Sequence, residues 1–142
     1  MTDKYNLQRF LYAQEVVYET VLNELRAGRK ASHWIWFIFP QIKGLGHSGM
    51  AQKFAITSLG EAKAYLQHPV LGPRLRECTQ LVLNVDRHSA EQIFSSPDNL
   101  KFRSCLTLFM TATTDNTIFK DALLKYFAGK PDTLTLHLLA HR

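Results

Sequence analysis

Cysteine is scarce in this chain, with two residues in 142, so no disulfide framework can carry the fold. Cys78 falls in a Leu75, Cys78, Leu81, Val82 spacing and Cys105 sits beside Phe102, Leu106 and Phe109. Both read as small buried hydrophobes of a reducing compartment. No apolar run approaches the length of a bilayer span; the longest ends at Phe39, and Met1-Thr2-Asp3-Lys4-Tyr5-Asn6 has no basic-then-apolar leader. A cytoplasmic protein without a membrane segment is the expectation. Internal repeats and low-complexity stretches are missing as well, and no two strand-like runs exist to pair with one another.

Charge of neither sign dominates. Seventeen Lys and Arg against twelve Asp and Glu give a net charge of +5 and a pI near 9.4. That balance favours anionic partners, but the only basic clusters are Arg26/Arg29/Lys30, Arg74/Arg76 and Lys101/Arg103. They are short and lack the aromatic interleaving of a strand-tracking surface, so nucleic acid is a disfavoured partner. Hydrophobic residues at 46% and a length of 142 suit one globular domain, residues 1–142.

What is present is helical. Leu7, Phe10, Leu11, Val17, Val21, Leu22 and Leu25 recur at helical spacing before Gly28. Ser58-Leu-Gly-Glu61 has the residues of a capping box, Ser96-Pro97-Asp98 reads as cap, proline and acid, and Ser89, Asn116 and Asp132 can cap further segments. The run Trp34–Phe39 alone has strand character, and with nothing to pair it reads as a short buried helix. These signals predict an all-α, single-domain multihelical bundle of about seven or eight helices.

Function is sought where chemistry concentrates. Gly44-Leu-Gly46-His-Ser-Gly49 matches the dinucleotide fingerprint in form, yet Pro40 to Lys43 separate it from the apolar run and no second strand follows. The motif reads instead as a glycine turn whose backbone N–H groups and Ser48 face an anion while Lys43 supplies charge. Trp34 and Trp36 stand two apart, so on a helix only one of them can face the interior on a given side. With Gln41 they make a wall for a ring-bearing ligand. On the predicted helix after Pro97, Asp98, Lys101, Ser104 and Thr107 are spaced to share one face. Ligand binding is therefore assigned to Trp34, Trp36, Gln41, Lys43, Gly44, Gly46, Ser48 and Ser104. If chemistry occurs, Asp98 or Glu61 is the candidate general acid or base, with Lys101 or Lys43 as the anion clamp. His137 and His141 lie four apart, but no third donor accompanies them, so no metal site is assigned. No cofactor can be named.

Together the W-x-W-F-x-F-P-Q run, Gly44-Leu45-Gly46-His-Ser48, Glu61-Ala62, Tyr65-Leu66, His68-Pro69, Arg74-Leu75 and Asp98/Lys101/Ser104/Thr107 resemble the domain of unknown function family 1810. The resemblance runs from about Leu7 to Leu139. It implies an all-helical single domain of bacterial type and no established activity. The leading functional expectation is a pocket for a small anionic, nucleotide-like metabolite. The alternatives are a protein-interaction module using an aromatic patch and a nucleic-acid-binding module.

Overall fold

The computed structural model describes residues 3–141; the N-terminal expectation above falls partly on residues 1–2, outside that range. Ten helices are formed: α1 Gln8–Glu15, α2 Tyr18–Arg26, α3 Ile35–Ile38, α4 Gly49–Lys53, α5 Leu59–Gln67, α6 Leu71–Leu83, α7 Ala90–Phe94, α8 Asp98–Ala112, α9 Thr117–Phe127 and α10 Thr133–Ala140. The all-α class stands, and the count of seven or eight is corrected to ten among the described residues. The excess lies in the first helical pattern, which breaks at Val16 and Val17 into α1 and α2, and in α4, whose five residues are too few to display a 3.6-residue period. No described helix is long and apolar enough to cross a membrane.

The longest helix, α8, is the axis of the molecule, with α3, α5, α7, α9 and α10 packed around it. Its residues Phe102, Cys105, Leu106, Leu108 and Phe109 are all buried, which explains why its apolar positions do not form one stripe: a helix covered on most sides has no outward face. Phe102 sits 4.7 Å from Phe94 and 4.9 Å from Phe39 between ring centroids, in stacked and edge-on arrangements. Trp34, Ile35, Phe37, Ile38 and Phe39 are buried with them, and Trp36 is only half-buried. Burial pushes the Cys78 thiol up to about 12 and holds the Cys105 thiol well above its ordinary value, so both behave as core apolar groups.

Local signals are realised unevenly. Ser89 and Gln92 close a capping box, and Ser48, Ser58 and Asp132 each accept an N–H at the start of their helices. At α5 the box stays half-closed, because the Glu61 side chain turns to Thr57 and Arg9 instead of returning to Ser58. Ser96 does not cap α8. Pro97, after a cis peptide bond, takes that position and has no side-chain acceptor to offer. Asn116 likewise donates its carboxamide to the Met110 carbonyl, leaving α9 without a side-chain cap.

The entry to α3 is organised by Glu24, which the sequence pattern did not single out. Its carboxylate accepts from the Ala31 and Ser32 amides at 2.7 and 3.0 Å, the Ser32 hydroxyl at 2.6 Å and the Trp34 indole N–H at 2.9 Å. Burial opposes its charge, but these donors outweigh burial and hold the carboxyl below the ordinary glutamate range. A depressed native pKa contributes stability above the unfolded value of about 4.3, and that contribution disappears as pH falls through the native value. Glu24→Gln is therefore expected to be less stable than wild type at pH 7 and to lose less stability on acidification to about pH 3. Urea unfolding at the two pH values checks this, and an equal acid loss in both proteins would contradict it.

Candidate functional site

Two hydrogen bonds place the glycine turn. Lys43 N–H donates to the Ile56 carbonyl at 2.8 Å and Ile56 N–H to the Gln41 carbonyl at 2.9 Å, so an isolated parallel bridge ties the chain after α3 to the chain after α4. Between these anchors the turn projects from the surface, with the Gln52 carboxamide donating to the His47 carbonyl and Ser48 capping α4.

Its glycines have internal reasons. Gly44 adopts φ +111°, a region that side chains disfavour. A Cβ on Gly46 would lie 2.7 Å from the Ala51 Cβ, so the missing side chain lets the turn close onto α4. Each glycine thus has a reason within the turn itself.

The turn is a ridge with an opening on each side. On the α8 side is a groove of about 420 Å³ lined by Gln41, Gly46, His47, Ser48, Lys101 and Ser104, with Leu45 and Leu100 as apolar walls and Asp132 at its edge. Lys43 opens onto a second basin on the other side, and Trp36, Gln41, Lys43, Gly44 and Gly46 together line a crevice of about 20 Å³ beneath the turn, room for about one water. Lys43 and Lys101 therefore do not serve one cavity, because the ridge separates them.

The polar face of α8 divides along its length. Asp98 is held between Lys30 at 2.8 Å and Lys101 at 3.3 Å, and it does not line the groove. The Lys101 ammonium also stands 5.2 Å over the Trp36 ring, so the half-buried tryptophan meets the site through that cation. Ser104 is 7% exposed, with its hydroxyl 3.0 Å from the Asp132 carboxylate and 3.1 Å from the Leu100 carbonyl. Thr107 accepts the Asp132 N–H at 2.8 Å. Much of the face read as a ligand stripe thus docks the segment leading into α10.

Trp34 is 1% exposed and its indole N–H is taken by Glu24, so it packs in the core and lines no groove. Glu61 is 2% exposed; it accepts from Arg9 at 2.8 Å and from the Thr57 amide and hydroxyl at 3.0 and 2.8 Å, and it lines the basin on the other side of the turn rather than the groove. Neither Asp98 nor Glu61 stands in the groove as a free base. The basic clusters, too, have internal partners: Lys30 and Lys101 on Asp98, Arg74 on Glu15, Arg76 on Asp115, and Arg103 on the Lys130 and Pro131 carbonyls. The His137 and His141 rings lie 4.3 Å apart, tilted by 40°, and no group of three potential ligands surrounds a metal position among the described residues.

A family model described as "Protein of unknown function (DUF1810)" matches residues 4–139. The chain belongs to this family. It is also similar to the conserved hypothetical protein Rv1873 from Mycobacterium tuberculosis, known from a crystal structure. Identity is 54%, the match covers 97% of this chain and 99% of that one, and the TM-score is 0.96. No curated protein matches the chain.

In this DUF1810 chain, sequence reasoning overlooked Leu45, Pro97, Leu100 and Asp132 as neighbours of the groove. Leu100 is 51% exposed, and an exposed leucine carries no signal until the fold shows what lies opposite. Asp132 was legible as a helix cap and is one. Its second position, beside the turn, depends on how α10 docks on α8.

Proposed function

We propose that this DUF1810 protein binds a small, ring-containing anionic metabolite in the groove between the glycine turn and α8. The observation that carries the reading is convergence. Gln41, His47 and Ser48 from the turn meet Lys101 from α8 between the half-buried Leu45 and the exposed Leu100, in a concavity of small-ligand size. Lys101 supplies the cation, held in place by Asp98 and the Trp36 face, and the ring lies between Leu45 and Leu100. The role is binding; the two carboxylates considered for acid–base work are committed to ion pairs.

A thermal-shift screen of nucleoside monophosphates and sugar phosphates tests this. A ligand at a hundredfold its Kd stabilises by about 2.7 kcal/mol, a rise of roughly 8 °C for a chain of this size. Lys101→Gln leaves Asp98 its partner Lys30, so the fold is retained, and affinity is expected to fall at least about tenfold, the worth of a charged hydrogen bond. No shift from any compound, or an unchanged affinity in Lys101→Gln, would overturn the reading.

A further inference from the structure

We infer that the ligand of the α8 groove carries an amino group on its ring: the site takes an amino-bearing nucleoside monophosphate, with its phosphate on Lys101 and its amine on Asp132. This rests on the groove reading above and adds what the far end of the groove recognises. Among the lining residues one is a fixed cation, Lys101, and one is a carboxylate, Asp132. A polyanion filling the groove would meet repulsion at Asp132, so the charges match a ligand with an anion at one end and a hydrogen-bond donor at the other.

Asp132 has one oxygen to give. Its Oδ2 accepts from the Ser104 hydroxyl at 3.0 Å, from the Thr135 amide at 3.2 Å and from the Thr135 hydroxyl, and its own amide donates to the Thr107 hydroxyl at 2.8 Å. Oδ1 accepts from no protein group among the described residues. An ionised acceptor is therefore held in place by four bonds and still has capacity for a donor, so a ligand that uses it orders nothing further in the protein. Ser104, by contrast, is spent on Asp132 and the Leu100 carbonyl.

The spacing of the two charges sets the ligand's length. Lys101 leans back toward the start of α8, its ammonium 3.3 Å from Asp98 and over the Trp36 ring, whereas the Asp132 carboxylate stands at Ser104. From Asp98 to Ser104 is six residues of α8, roughly 9 Å at 1.5 Å per residue. That separation excludes an α-amino acid, whose ammonium and carboxylate share one carbon. A nucleoside monophosphate has a sugar and a base between its phosphate and the amine, and Leu45 and Leu100 give the base its apolar walls. Adenine and cytosine carry a donor amine at the ring edge; hypoxanthine and uracil have a carbonyl oxygen there, which a carboxylate repels.

Calorimetric titration of the full chain with AMP, with purine riboside monophosphate, which lacks only the amine, and with IMP tests this. AMP is expected to bind about tenfold tighter than the amine-free compound, the worth of a hydrogen bond to a charged acceptor, and IMP no tighter than the amine-free compound. Asp132→Asn keeps the cap of α10, because the Thr135 amide can only donate and so holds the carboxamide oxygen, turning the NH₂ group to the groove. The variant should fold as wild type does by circular dichroism and reverse the order, binding IMP tighter than AMP. Lys101→Gln should weaken AMP and the amine-free compound by the same factor, leaving their ratio unchanged. Equal affinity for those two in wild type, a comparison that needs no variant, or the wild-type order in a folded Asp132→Asn would overturn the inference; with Lys101→Gln still weakening binding, the groove reading would stand. Binding of none of the three would overturn it as well, and the groove reading would then be decided by the other compounds of the thermal-shift screen.

Discussion

Glu61→Ala is expected to destabilise the protein by about 3–5 kcal/mol, the usual cost of removing one member of a buried ion pair. The Arg9 side chain is 13% exposed and would keep its charge with no counter-ion, while the Thr57 amide and hydroxyl would lose their common acceptor. For a domain whose whole stability is of order 5–15 kcal/mol, this is a large fraction. The second half of the prediction separates this pair from buried pairs that apolar residues replace at little cost. Arg9 also binds four carbonyls, so Arg9→Met with Glu61→Leu would remove the donor those acceptors share. The double variant is expected to stay at least about 2 kcal/mol below wild type. Urea unfolding of the single and double variants reads both, and a double variant as stable as wild type would mean that the carbonyls find water at no cost.

Phe102→Ala is expected to cost about 3–5 kcal/mol, the range for a large aromatic removed from a core that cannot collapse around the gap. The ring is fully buried and touches Phe39 and Phe94 at close range, with Phe127 at 6.3 Å. These neighbours come from the segment after α3 and from α7 and α9, so no single helix can shift to fill the space. Trp36→Ala should cost less, since that ring is half-buried and packs partly under Lys101. A loss below about 1.5 kcal/mol at Phe102 in chemical unfolding would show that the aromatic cluster repacks.

The helical class, the buried thiols and most helix starts were legible from residue order, because capping and periodic burial depend on neighbours within one turn. Ser89 with Gln92 and Asp132 with Thr135 show this, each completed within three residues. Ser96 failed as a cap, since Pro97 takes the N-cap position, outside the reading that placed the serine there. The short helix α4 escaped the count for want of a full period, whereas α3 was legible as a short buried helix.

The site was legible only as a set of residue types. Glycines, a lysine and tryptophans in one run suggested a single pocket; Trp36, Gln41, Lys43, Gly44 and Gly46 do share a small crevice, while the fold sends Trp34 to the core, opens Lys43 also to one side of the ridge, and turns Gln41, Gly46 and Ser48 to the other. Glu61 carried a capping signature, and its engagement with Arg9, 52 positions away, depends on the approach of α1 to α5. Residue order alone determined which segments are helical and which side chains are candidates for burial, because those properties are set by spacing and by side-chain chemistry. The tertiary structure decided which polar groups neutralise one another and which remain to line a cavity, since a charge 50 positions away counts only when packing brings it within hydrogen-bond reach.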